Sequence, residues 1–365
     1  MGQKWSNMEK KQTIKHFFPA LTGYRAIAAW MIFVYHFTPF NSPKYPEWIK
    51  RIIWEFHIGV DMFIVLSGFL ITYRYFNDRP VHLKKYLVNR IARIYPMYFL
   101  ITAAIFVVGY LQNQNWGTEK TYELLTSVTM TKALFSSFFL KGIPQGWTLT
   151  LEEMFYLTAP LYFILIRKSK KWLYTLPFVL FIAFAALKFI FDFPANKYGF
   201  LQTNIHAYII EFFAGIGLAL LLLSKRSVKL KFSATWLGIG IILFYLLSRH
   251  GFAQIFNLKS DIGRFLEMAF LSILGIAPLL WGLIHENTFL KRLLSAKTMV
   301  LLGKSSYIFY LIHKGFIPVL INDYIWDNKL FIFILLNIIS ILLFIWIEEP
   351  LNHYIRKKFG STKRT

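Results

Sequence analysis

Apolar residues run along this chain in windows of about 20, separated by short polar connections dense in lysine and arginine. At 1.5 Å rise per residue, such a window matches a hydrocarbon core roughly 30 Å thick. The pattern predicts membrane-spanning helices near 20–39, 54–75, 94–111, 147–166, 172–191, 205–223, 233–249, 263–285, 298–320 and 328–347. The expected fold class is all-α, a polytopic membrane protein built as a bundle of about ten transmembrane helices. The longest connection, about 112–146, holds a moderately apolar stretch from Val128 to Leu140 that is too short to span, so a re-entrant or interfacial segment is expected there. With no internal repeat or linker, the chain divides into an N-terminal tail (1–19), one transmembrane domain (20–347) and a basic C-terminal tail (348–365).

Charge orients these helices. Counting lysines and arginines toward span ends with the adjoining connection, the two tails and alternate connections hold 26 of the 41 and the other connections 13, which leaves Arg25 and Lys304 as cations within spans. Basic loops stay inside, so both termini are expected in the cytoplasm of a cell-membrane protein, with the 112–146 connection outside. Lys4, Lys10, Lys11 and Lys15 precede an apolar run without a small-residue cleavage site, which reads as a retained cytoplasmic tail. Only 16% of residues are charged against roughly 25% in a soluble domain, too little polar surface for a water-soluble globule. The net charge of +23 raises nucleic acid as a partner, but the basic residues punctuate apolar runs and build no soluble face. Membrane lipids with anionic head groups are the expected partner, and nucleic acid is not. The absence of cysteine excludes disulfides, thiolate chemistry and cysteine metal sites.

Ionisable side chains inside spans cost roughly 2.5–3.5 kcal/mol each and therefore face protein or a water cavity. Arg25 lies near the inner end of the first span and His36 near its outer end. Eleven residues separate them by about 16 Å and about 20° beyond three turns, so they share a helix face. His57 and Asp61, one turn apart, together with Glu152, Glu153, His206, Glu211 and Glu267, fall in outer thirds, and Lys304 falls in an inner third. Acids and histidines outside and cations inside suit an anionic cytoplasmic ligand and a neutral or cationic external substrate. Structural readings compete at each position. Glu211 and Glu267 can reach the interface, and His57, His206 and His313 can be satisfied core residues. Ser67 can serve helix packing, and Trp147 can belong to an aromatic belt. Arg90 and Arg93, one turn apart at the entrance to the third span, form a two-guanidinium face matched to phosphate oxygens, or an ordinary positive-inside anchor.

Taken together, several segments resemble the acyltransferase 3 family of multi-pass membrane acyltransferases, many of which O-acylate extracytoplasmic sugars. They are Leu21-Thr22-Gly23-Tyr24-Arg25 with His36, Gly59-Val60-Asp61-Met62-Phe63 with Leu66-Ser67-Gly68-Phe69-Leu70, and Arg90-Ile91-Ala92-Arg93-Ile94-Tyr95-Pro96. Further on come Gly146-Trp147-Thr148-Leu149-Thr150-Leu151-Glu152-Glu153, Gly303-Lys304-Ser305-Ser306-Tyr307 with Tyr310-Leu311-Ile312-His313, and Glu349-Pro350. Departures are small: the family more often carries Leu-Arg-Gly around the first arginine, and Gln where Met154 stands.

The resemblance implies transfer of a short acyl group, acetyl in the first instance, from cytoplasmic acyl-CoA to a hydroxyl of an envelope polysaccharide or glycolipid. Acyl-CoA is then a co-substrate, with no permanently bound cofactor and no metal. His36, with an ordinary pKa near 6.5, is the expected general base, with Asp61, Glu152 and Glu153 supporting it. Arg25, Arg90, Arg93 and Lys304 are expected on the donor, and Trp147, His57, Tyr310 and His313 on the acceptor. Some relatives carry a soluble esterase-like domain after the membrane part. With none here, transfer is expected to finish in the membrane domain or with a partner. The main rival is an exporter of a polysaccharide or lipid-linked precursor, against which stands the lack of an inverted repeat or a pair of broken helices. A scaffold would carry fewer buried charges.

Overall fold

Pro19 opens the first helix, where its missing N–H costs nothing because first-turn amides have no intrahelical partner. The structure, a computed structural model, describes residues 17–39, 44–78, 81–113, 116–135, 137–190, 205–224, 231–255 and 260–360, with no strand among them. The lysines expected in the N-terminal tail (Lys4, Lys10, Lys11, Lys15), the extreme C-terminus and the His206 side chain lie outside the described residues. The helices are α1 (Pro19–Phe37), α2 (Glu47–Trp54), α3 (Gly59–Tyr75), α4 (Leu83–Asn113), α5 (Thr118–Val128), α6 (Trp147–Lys168), α7 (Lys171–Ile190) and α8 (Ile205–Leu223). The second half adds α9 (Ala234–Ile255), α10 (Asp261–Phe270), α11 (Ala277–His285), α12 (Phe289–Leu294), α13 (Lys297–Ile312), α14 (Phe316–Tyr324), α15 (Lys329–Leu343) and α16 (Glu349–Phe359).

Among the described residues, five helical stretches are long and apolar enough to cross a membrane: Glu47–Tyr75, Leu83–Leu111, Pro144–Lys168, Asp261–His285 and Lys329–Phe359. Shorter apolar helices cover Lys171–Ala186, Tyr208–Leu223 and Ala234–Arg249. Helices α1 and α13 meet neither measure, and they pack on each other inside the bundle. Interior helices have protein on every side and can carry Arg25, Lys304 and small residues where a lipid-facing helix cannot.

Close crossings fix this centre. A Cβ on Gly303 would stand 1.8 Å from the Thr22 carbonyl oxygen, so α13 reaches α1 only as glycine and sets Lys304 beside the start of α1. At the contact of α3 with α8, a Cβ on Gly68 would stand 2.1 Å from the Phe212 carbonyl oxygen. Gly303→Leu is expected to cost about 1–3 kcal/mol by overpacking, read as a lower midpoint of thermal unfolding in detergent. An unchanged midpoint would show that the crossing has slack.

The helices depart from the hydropathy windows at three places. Helix α4 begins at Leu83 and not near 94, so Arg90 and Arg93 sit well inside a helix and not at its entrance. Leu, Lys and Arg sustain a helix as well as apolar residues do, so the backbone continues where hydropathy stops. The 298–320 window breaks between α13 and α14 at Gly315, whose φ of +106° suits glycine. Beyond 347 the chain stays helical through a π turn into α16, which lies against α4, so most of the expected C-terminal tail is packed helix.

The 112–146 connection, as far as it is described, holds α5, a 3-10 turn at Lys132–Leu134 and a tight return to α6. Fully buried Lys132 pins that return, its Nζ donating to the carbonyl oxygens of Lys141 (2.6 Å) and Ile143. Burial holds its ammonium down to about 7 from an ordinary 10.5, with Glu123 opposing the shift. Between those values the unfolded chain keeps the proton more tightly than the folded one, so docking is weakest below about pH 7 and strengthens as pH rises. Hydrogen-exchange protection of the 141–147 amides is expected to rise between about pH 7 and 9 in the parent and to stay flat in Lys132→Met. The same profile in both proteins would remove Lys132 as the cause.

Candidate active site

Helix α1 serves as a ruler along which three cavities follow one another. The first is lined by Phe18, Leu21, Thr22 and Arg25 from the start of α1. The middle one also takes Arg25, and the last takes Ile32, Tyr35 and His36 from its end. First and middle share the walls Arg25, Leu70, Arg90 and Arg93. Middle and last share Val60 and Tyr310. The face common to Arg25 and His36 therefore looks onto one string of cavities.

The first cavity gathers cations. Arg25, Arg74, Arg90, Arg93, Lys304 and Arg356 line it, with Glu349 as the acid on its wall. Arg93 is committed: it pairs with buried Glu348 and donates to the Lys304 carbonyl oxygen at 3.3 Å. Arg90 lies over the rings of Tyr75 and Tyr156, 6.0 and 5.5 Å from their centroids. Its Nε has no hydrogen-bond partner among the described residues. Arg25 has neither an ion pair nor a hydrogen bond among the described residues, and it feels Glu152 and Glu348 only as distant charges. An uncommitted cation in a membrane bundle awaits an anion.

In the middle cavity Glu152 accepts from Ser67 Oγ at 2.5 Å and from the Tyr156 hydroxyl. Ser67 thus belongs to a polar cluster as well as to the Gly68 crossing. Glu153, one position on, is partly buried in the field of Glu152 and Arg90. Tyr307 donates to the Ile94 carbonyl oxygen at 2.8 Å, tying α13 to α4 behind the arginines.

His57, Trp147 and Tyr310, three of the four residues expected on the acceptor, line the last cavity together with His36, while the fourth, His313, is not among its lining residues. His36 stacks on His313, ring centroids 5.3 Å apart. His313 is fully buried and its Nδ1 lies 2.7 Å from the Tyr310 carbonyl oxygen, which can only accept, so Nδ1 carries the hydrogen. Its Nε2 is then a bare acceptor with no partner among the described residues. Trp147 does more than mark an interface: it stacks on Phe139 at 5.6 Å and walls the cavity. The Tyr310 hydroxyl, 2.7 Å from Thr148 Oγ1, stands at the wall between middle and last cavities.

The three expected supports of His36 lie elsewhere, Glu153 beside Glu152 and Arg90. Asp61 is buried facing Glu211 across the α3–α8 contact, and Glu152 is held by Ser67 and Tyr156; neither bonds to His36 among the described residues. Glu211 and Glu267 do not reach an interface, being 0% and 6% exposed. Glu267 accepts from the Tyr245 hydroxyl (2.6 Å) and Arg249 Nε (2.8 Å), and Arg249 also pairs with Glu55 at 3.1 Å on the cavity wall.

Sequence reading missed Gln145, Arg249, Glu55 and Glu348. Gln145 is buried and donates to the carbonyl oxygens of Tyr310 (3.0 Å) and Leu311 (2.7 Å), clamping the end of the 112–146 connection onto the end of α13. Its signal is its place beside Gly146-Trp147. For Glu348 the signal is a carboxylate at the end of an apolar window, one residue before the acid of the Glu349-Pro350 pair.

Comparison with known proteins gives this geometry a context. The O-acetyltransferase OatA of Staphylococcus aureus (strain NCTC 8325 / PS 47) is 24% identical over 396 residues, covering 98% of this chain and 62% of its own. OatA of strain MRSA252 is 24% identical over 382 residues, covering 96% of this chain and 59% of its own. The chain thus spans about six-tenths of the length of these curated relatives. No solved structure matches it. A family model described as an acyltransferase domain matches residues 18–348, taking in all three cavities save Phe17 and the residues from Glu349 onward in the basic one. Over nearly its whole length, then, the chain belongs to the acyltransferase 3 family.

Proposed function

We propose that this chain is a cell-membrane O-acetyltransferase that takes its acyl group from acyl-CoA on the cytoplasmic side and gives it to a hydroxyl of an envelope glycan or glycolipid outside. Ten crossings, both termini inside, put the cationic cavity at the cytoplasmic end. One observation carries the reading: uncommitted Arg25 and His36 lie on one face of α1 at opposite ends of a row of cavities that share wall residues. Their spacing is about 16 Å at 1.5 Å per residue. The pantetheine arm of CoA has about 13 bonds from pyrophosphate to sulfur, equivalent to a little over four extended residues, or roughly 15 Å. Phosphates held at Arg25 and Arg90 would leave the thioester at the level of Tyr310 and His36, with Ser67, Glu152 and Tyr156 offered to the arm's amides.

Transfer then needs one proton carrier. His36 takes the proton of the acceptor hydroxyl, whose oxygen attacks the thioester carbonyl carbon. The new C–O bond forms as the C–S bond breaks, and the proton passes from the imidazolium to the departing thiolate. Trp147 and His57 wall the acceptor's side of the cavity.

The test is release of free CoA from acetyl-CoA by the purified protein in the presence of an envelope-glycan extract, with mass spectrometry of the glycan for added acetyl. Because the chain has no cysteine, a thiol reagent reads CoA without protein background. Turnover with acetylated glycan supports the reading. Glycan movement into proteoliposomes without CoA release would replace it with an exporter.

A further inference from the structure

We propose that the rim of the cationic cavity is a separate subsite for the 3′-phosphoadenosine end of the donor, built from Arg74, Arg356 and the aromatic rings of Phe17 and Tyr73. The inference rests on the acyl-CoA reading and adds to it which part of CoA is read where.

The cavity has two layers. Arg25, Arg90 and Arg93 form the deep one and also line the middle cavity. Arg74 and Arg356 line the first cavity but not the middle one. They come from different elements, Arg74 from the last turn of α3 and Arg356 from α16. Arg356 stands in the repulsive field of Arg74, Arg90 and Arg93. Among the described residues its guanidinium makes one long contact, to the Asn89 carbonyl oxygen at 3.5 Å, and its buried Nε has no hydrogen-bond partner. Folding alone gains nothing by gathering like charges, so the arrangement is explained by a polyanion.

A pyrophosphate at the deep arginines leaves Arg356 Nε without an acceptor among the described residues. A ligand that answers both layers carries a second anionic group displaced from the first, and the 3′-phosphate of CoA is such a group. Guanidinium groups on two elements can grip it from two sides with charge-assisted hydrogen bonds. Beside them Phe17 is 60% exposed and lines the cavity with Tyr73, whose ring packs on Phe18 at 5.1 Å. An open aromatic surface next to a phosphate grip suits a purine, which stacks on any π face.

Titration calorimetry of the full chain in nanodiscs with CoA and with dephospho-CoA tests this. The parent is expected to bind CoA at least about tenfold more tightly. Arg356→Gln is expected to bring CoA down to the dephospho-CoA level and to leave dephospho-CoA binding unchanged. Phe17→Ala is expected to weaken both ligands alike. Equal affinity of the parent for the two ligands overturns the subsite while the acyl-CoA reading stands, whereas failure to bind either overturns both. An equal loss for both ligands in Arg356→Gln assigns that residue to structure and also overturns the proposal. Should Arg356→Gln not elute as a folded protein, exposed Arg74→Gln carries the same comparison.

Discussion

Replacing His36 with Asn is expected to lower acyl transfer by about 10² or more while acyl-CoA binds as it does to the parent. Asn keeps a planar polar group in the cavity but cannot accept a proton at neutral pH. The lost ring contacts with Tyr35 and His313 are worth about 0.5–1.5 kcal/mol each at most, so the fold should survive. His36 is also remote from the phosphate end: eleven residues of α1 separate it from Arg25, about 16 Å. Binding and chemistry should therefore separate, with calorimetry unchanged and thiol release lost. His313→Asn is the informative companion, because the stacked second imidazole has an unpartnered Nε2 of its own. Parental turnover in His36→Asn would dismiss His36 as the base, and loss confined to His313→Asn would move that role one ring over.

What the sequence made legible is whatever a single helix determines. The 3.6-residue period places Arg25 and His36 on one face, and both indeed line the same string of cavities. Arg90 and Arg93 share a turn of α4 and open into one cavity for the same reason. Hydropathy found the apolar windows but misplaced ends wherever a helix continues through polar residues, as at Leu83 and beyond 347. What was not legible depends on how helices are rotated against each other. Asp61 and His57 lie one turn apart, yet Asp61 turns to Glu211 in the α3–α8 contact while His57 lines the cavity. Glu152 meets Ser67 across 85 positions and Arg93 meets Glu348 across 255. Both pairings follow from helices packing across the bundle, α3 on α6 for the first and the Phe344–Glu348 turn with α16 on α4 for the second, which no local pattern encodes.

That difference makes two arginines of one cavity behave in opposite ways. Arg25→Gln is expected to weaken acyl-CoA binding by roughly 10- to 150-fold, the worth of one charge-assisted hydrogen bond at about 1.5–3 kcal/mol. Its stability should hold, because Arg25 has no ion pair or hydrogen bond among the described residues to lose. Arg93→Gln removes the partner of Glu348, whose side chain is 0% exposed, and an uncompensated buried charge costs about 3–5 kcal/mol. Its effect should appear first as a lower unfolding midpoint, and Glu348→Gln in the same chain should restore that midpoint by removing the stranded charge. Calorimetry with CoA and thermal unfolding on the single and double variants read the two quantities separately. Should Arg25→Gln bind CoA as tightly as the parent, the anion site would have to rest on Arg90 and the rim arginines alone, and the match between α1 and the pantetheine arm would lose its anchor at the phosphate end.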